Sequence, residues 1–248
     1  MGRLIHLSSL PSHEANAILD RVVALDARIF HHSSEGVQER YHKGMRDLSV
    51  GEKSVVLYEE AGELVGYNLI KIQPFEVEGR TTWVVGSVAG FLPGHTGGNR
   101  TMEDAIRAML RHKLRHPGRD FFFVSFLINP GGYDMLVDLC PTTFPSVHTP
   151  APSGFELSLI AAAAQRAGFE ILVHEKTRLV VMAGRSAREP FERRRDTENI
   201  RFFEKMNPRY AEGELLGVCV PLGFEQLITG ALRLGRRRLR RSRTARAA

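Results

Sequence analysis

The stretch Gly94–Thr101, GHTGGNRT, follows an apolar run and precedes an amphipathic one. That order suits one piece of chemistry, the holding of a phosphate-like anion. The first turn of a helix carries N–H groups with no intrahelical acceptor, together with the positive end of the helix dipole. Glycines ahead of it let backbone amides approach an anion without side-chain obstruction. Gly94, Gly97 and Gly98 stand in that place, and Arg100 supplies a counter-charge. A diphosphate is the ligand such a loop suits. The same glycines also serve an ordinary strand-to-helix turn, and the pattern alone does not separate the two. Two familiar loops fit poorly. A Walker loop needs Gly-Lys-Ser/Thr, and no lysine is present here. A dinucleotide fingerprint wants an acid about 20 residues on, at the end of the next strand. Asp120 lies at that distance but opens the next strand.

The elements around the loop follow from periodicity. SVVLYEE and ELVGYNLIKIQ are rich in β-branched and aromatic residues and flank the turn signal Ala61-Gly62, which predicts a hairpin. RTTWVVGSVAGFL is a third strand, apolar enough to be buried on both faces, and ends at Pro93. Thr101 and Asp104 form a Thr-x-x-Asp capping pattern, after which Met102, Ala105, Ile106, Met109, Leu110 and Leu114 recur at helical spacing. DFFFVSFLIN is the next strand. Strand, loop, helix and strand imply a right-handed crossover between parallel strands, with the loop at the carboxyl end where open α/β sheets bind ligands. The first 50 residues read as two helices, HEANAILDRVVALDARIF and EGVQERYHKGMRDL, with His31 and His32 at the surface after the first. Residues 130–153 read as an irregular insert with four prolines in its second half, which marks a lid or pocket wall. FELSLIAAAAQRAGF is a helix ending at Gly168, and EILVHEKTRLVVMA a closing hairpin. The expected class is α/β, an α+β mixed sheet: residues 1–184 as the main domain, 185–234 as a C-terminal extension and 235–248 as a disordered Arg-rich tail.

Composition narrows the function classes. At 248 residues and 43% hydrophobic, the chain can bury a substantial core. Cys140 and Cys219 show no CxxC or Cys/His spacing, so neither a zinc site nor a disulfide framework is expected, and a reducing cytoplasm suits the chain. The amino terminus lacks the features of a signal peptide, and no run of 18 apolar residues exists. The last 14 residues hold seven arginines and no acid; removing them from the formal +6 leaves −1. The basicity belongs to this tail, which is either a solvated end or a contact for an anionic membrane surface or, less readily, nucleic acid.

The order of elements resembles the GCN5-related N-acetyltransferase (GNAT) superfamily over about Ser54 to Met182. The carriers are the strand SVAGFL, the loop HTGGNRT, Asn129 at the end of the following strand, and AAAAQRAGFEILVHE. The resemblance implies a GNAT-like fold and an acyl-CoA co-substrate, acetyl or longer, with no metal. It places the pantetheine arm along Val88, Ala89 and Phe91, and the pyrophosphate on Gly94, His95, Thr96, Gly97, Gly98, Asn99, Arg100 and Thr101. Many members carry a tyrosine acid four residues before the Gly-Phe; that position here is Ala164. Departures of this kind resemble N-acyl amino acid synthase-type acyltransferases. Acyl transfer to an amine needs a proton acceptor, an oxyanion donor and a proton for the leaving thiolate. The groups expected for this are Asn129, Tyr133 as acid to the sulfur, and His148 as base, since imidazole titrates near neutrality; Glu156 is a weaker base. Each also has a structural reading, which such residues more often follow: a packed aromatic, a solvated loop histidine, a helix-start acid. The alternative function is a non-catalytic GNAT-like module docking through its arginine tail. An S-adenosylmethionine methyltransferase is disfavoured by the hairpin before the glycine loop.

Overall fold

The apolar runs pair into one eight-stranded sheet. In the computed structural model, which describes residues 2–49, 51–95, 99–149, 154–187 and 196–247, the strands are β1 (Arg3–His6), β2 (Phe30–His32), β3 (Glu52–Glu60), β4 (Glu63–Val77), β5 (Arg80–Phe91), β6 (Phe121–Leu127), β7 (Glu170–Glu175), β8 (Arg178–Met182), β9 (Arg185–Ala187) and β10 (Glu214–Pro221). The helices are α1 (Ser12–Ile29), α2 (Glu35–Arg46), α3 (Asn99–Arg115), α4 (Pro130–Leu139), α5 (Gly154–Arg166), α6 (Glu198–Met206) and α7 (Phe224–Ala247). The sheet order is β1-β3-β4-β5-β6-β10-β8-β7, with β2 and β9 paired separately. Every neighbouring pair is antiparallel except β5 and β6, which α3 joins in parallel. The class is mixed α/β, as expected.

Strand alternation sends side chains to the two faces of the sheet. Ile70, Ile72, Val85, Phe121 and Phe123 face α3, α4, α6 and α7. Phe75, Val77, Val84, Phe122 and Val124 face α5, while Tyr67 and Leu69 of the same β4 parity face α1 and α2. The hairpin turn is sharp because Ala61 (φ 50°) and Gly62 (φ 86°) both adopt positive φ, the backbone that matches strand twist in two-residue loops.

Four features depart from the sequence expectation. Residues 3–6 form the edge strand β1, too short to show a period, and residues 30–32 form β2. The insert begins with a helix, α4: Asn129 caps it by accepting from Gly131 N at 2.8 Å, and Pro130 sits at its first turn, where a missing N–H costs nothing. The boundary expected near residue 184 is not a boundary of the sheet, because β10 lies between β6 and β8. Its Leu216, Val218, Cys219 and Val220 are fully buried, covering both faces. Burial of that kind contributes about 1.5–3 kcal/mol per large apolar side chain, which only an interior position provides. Residues 235–247, expected as disordered, continue α7; past Gly235 they contain no glycine or proline and are mostly arginine and alanine, good helix formers.

Candidate functional site

The parallel pair β5–β6 opens into a fork. Register holds only for Trp83–Phe121, Val84–Phe122 and Val85–Phe123. Beyond Val85, β5 continues to Phe91 paired with β4 alone, while β6 runs on to Leu127 against β10. The facing edges, Gly86–Phe91 on one side and Val124–Leu127 on the other, therefore pair outward and not with each other. SVAGFL is one prong of this fork. Val88 packs against the α1–α2 core, Ala89 is exposed, and the Phe91 ring lies 5.0 Å from that of Tyr58.

The glycine loop leaves the end of this prong. Leu92 N donates to Val65 O at 2.9 Å, His95 N donates to Leu92 O at 3.0 Å, and Gly94 takes φ 78° in the turn between them. His95 Nδ1 is 3.1 Å from Glu60 Oε2, which ties the loop to the end of β3. Thr96, Gly97 and Gly98 lie outside the described residues, and Asn99 and Arg100 are described as helix backbone only.

Three polar side chains that the sequence reading passed over fix the start of α3. The buried Asn68 on β4 donates from Nδ2 to Thr101 O at 3.0 Å and accepts from Ser87 Oγ of β5 at 2.7 Å. One amide thus ties the prong to the first turn of the helix. Tyr58 of β3 donates to Asp104 Oδ2 at 2.9 Å, so the acid expected to close a capping box is held by a strand. The sequence signal was a polar residue inside an apolar strand: Asn68 in GYNLIKI.

The catalytic candidates separate. Asn129 ends β6's side of the fork as the cap of α4. Tyr133 is fully buried in the core of α4, α6 and α7, between Phe203 and Phe202. Its hydroxyl donates to Pro145 O at 2.8 Å, and burial pushes its pKa well above the usual phenol value. A buried hydroxyl spent on a backbone carbonyl suits a structural tyrosine better than an acid to a leaving sulfur. His148 is exposed on the loop after α4; that loop is pinned by reciprocal Phe144–Cys219 backbone bonds of 2.8 Å and by the Ser146 hydroxyl, which accepts from His148 N at 3.2 Å. Glu156 lies in the first turn of α5. Ala164 is fully buried on the inner face of α5, so no acid stands at the position of the usual tyrosine. Both cysteines are buried thiols; burial raises Cys140 to about 11 and Cys219 well above its ordinary value, which leaves neither as a nucleophile.

Two groups of metal-ligating side chains also form among the described residues: Asp26, His32 and His42, and Glu52, His112 and His116. The expectation that His32 lies at the surface is corrected, since its side chain is 3% exposed. His112 is buried, with Nδ1 3.3 Å from Glu52 Oε1 but not aligned for a hydrogen bond, and its ring stacks on Phe121.

No family model and no curated protein match this chain. Solved structures similar to it include a probable N-acyltransferase of Enterococcus faecalis V583 (14% identity, 54% of this chain and 31% of that one, TM-score 0.35). A second is the GNAT family N-acetyltransferase YhbS of Escherichia coli in complex with CoA (18% identity, 54% and 66%, TM-score 0.36). A third is a chain of the NatC complex bound to Gag peptide and CoA (14% identity, 89% and 99%, TM-score 0.36). The matched part spans about a third of the first and just under two thirds of the second.

Proposed function

We propose that this chain transfers an acyl group from an acyl-CoA thioester to an amine acceptor. The fork between β5 and β6 carries the reading. An edge of strand backbone from Gly86 to Phe91 suits an amide-bearing pantetheine arm, which can pair with it as an added strand would. The chain then leads directly into Gly94–Thr101 and the amino end of α3, where backbone N–H groups and the helix dipole favour a pyrophosphate. Both parts of one ligand, an extended amide arm and a diphosphate, are met in the right order along the chain. In this reading Asn129 closes the β6 side and the exposed His148 accepts the amine proton. Tyr133 takes no part.

The test is binding, then turnover. CoA, acetyl-CoA and a long-chain acyl-CoA are titrated by calorimetry and by thermal shift, where a ligand raises the melting temperature by mass action. Gly97→Val and Gly98→Val should abolish that binding. A parent that binds none of the three ligands, or variants that bind as tightly as the parent, would overturn the assignment. Thiol release in the presence of an amine panel then reports transfer.

A second reading has its own observation. On α7, Phe224, Ile228 and Leu232 are 37%, 53% and 59% exposed at i, i+4 and i+8, ahead of the arginine run. An apolar row leading into basic residues suits an anionic membrane surface. No helix among the described residues is long and apolar enough to cross a membrane, so such contact is peripheral. Binding to phosphatidylserine vesicles should weaken steeply with salt and vanish on deletion of residues 236–248; vesicle binding unchanged by that deletion would remove it.

A further inference from the structure

We propose that Asp26, His32 and His42 form a binding site for one divalent transition-metal ion, with zinc the best fit. The three come from different elements, α1, β2 and α2, and meet beneath the face of β4. His42 Nε2 lies 3.3 Å from Asp26 Oδ2, and His32 Nε2 lies 3.5 Å from the same oxygen. All three ligand atoms fall within 4.8 Å of one another. Tetrahedral zinc with bonds of about 2.0–2.2 Å to nitrogen and oxygen sets neighbouring ligand atoms roughly 3.3–3.5 Å apart. Two of the three edges already have that length, and one of them is the His42–Asp26 hydrogen bond that an ion would replace.

The surroundings favour this use. The side chains of Asp26, His32 and His42 are 0%, 3% and 9% exposed. An ionised carboxylate at that depth is costly unless a positive charge accompanies it, and a divalent ion held by two neutral imidazoles supplies one. Asp26 Oδ1 accepts from the Tyr67 hydroxyl, which directs Oδ2 toward the two nitrogens. Such an outer hydrogen bond orients a ligating carboxylate. The His32 and His42 rings meet edge-on, 77° apart with centroids at 5.4 Å, and Tyr41 packs 5.7 Å from His32. Three protein ligands leave a fourth position for water or another small donor. The other trio is a weaker competitor, because its carboxylate, Glu52, is 44% exposed.

The full chain is stripped with chelator, then titrated with zinc by calorimetry and with cobalt by visible absorption. One equivalent per chain is expected, with the intense ligand-field bands of four-coordinate cobalt. Asp26→Asn and His42→Asn should weaken zinc binding on the order of tenfold or more, while Glu52→Gln leaves it unchanged. No stoichiometric binding by the parent overturns the proposal. So does binding that survives Asp26→Asn and His42→Asn yet is lost in Glu52→Gln, which places the ion at the other trio. If the Asp26 and His42 variants fail to fold, a parent-like cobalt spectrum in Glu52→Gln supports the site, and loss of that spectrum overturns it.

Discussion

Replacing Gly217 with alanine tests the least expected part of the fold, the seating of β10 inside the sheet. Gly217 pairs with Phe126 of β6 and lies under α5. A methyl group there would meet Ile160 Cγ2 at 2.4 Å and Leu179 O at 3.3 Å. Carbon contacts are most favourable near 3.5–4.0 Å, so the Ile160 contact is more than an ångström too short. Ile160 is fully buried and has little room to retreat. Overpacking of this kind costs about 1–3 kcal/mol. Loss of backbone freedom in the unfolded chain returns about 0.4–1 kcal/mol. A net cost of about 0–2.6 kcal/mol follows, centred on about 1.3, or roughly 3–5 °C in melting temperature at the centre for a chain of this size. Urea and thermal unfolding measure it, with Gly118→Ala as control because no atom lies within 4 Å of its added carbon. The double variant with Ile160→Ala should cost less than the sum of the single changes. A Gly217→Ala protein as stable as the parent, with no coupling to Ile160, would mean that β10 does not run between β6 and β8.

Three further outcomes are expected. Asn68→Ala, which unties Ser87 from Thr101 O, should cost about 1–3 kcal/mol in urea unfolding and weaken acyl-CoA binding in calorimetry; unchanged affinity would show that the start of α3 needs no such tie. Tyr133→Phe leaves Pro145 O without its donor and should lower stability by about 1–3 kcal/mol without altering the pH profile of any thiol-release activity; a shifted alkaline limb would restore the phenol as an acid. Burial depresses the pKa values of His6 and His112 below 6.5, so below that pH the unfolded chain takes up protons first and native stability falls. Urea midpoints from pH 7.5 to 5.5 should decline, and less so in His112→Phe; equal slopes in both proteins would be evidence against the burial argument.

Much of the scaffold was legible because it is written in local periodicity. The Ala61-Gly62 hairpin, β5, α3 and β6 each carry a run of their own period and a turn residue at its end. Placement was not legible, because it depends on partners distant in sequence. ELLGVCVPL reads as a short strand, yet nothing in its residues names β6 and β8 as its neighbours. Asn129-Pro130 held a readable cap-and-first-turn signature for α4, masked by the prolines that follow. The site divided in the same way. The loop was visible as a cluster of glycines, whereas the direction of Tyr133 is set by the packing of α4 on α6, which spacing does not encode. Cysteine counting excluded the familiar zinc patterns but is blind to an aspartate and two histidines gathered from three elements.

The late arrival of β10 bears on synthesis. A ribosome releases β1 through β8 before residues 214–221 emerge, so the nascent chain must wait with the flanks of Phe121–Leu127 and Arg178–Met182 unzipped. Raw strand borders of that sort recruit foreign peptides. Chaperone dependence during translation, and inclusion bodies from gene fragments ending before Glu214, are the outcomes expected when an interior strand is seated so late.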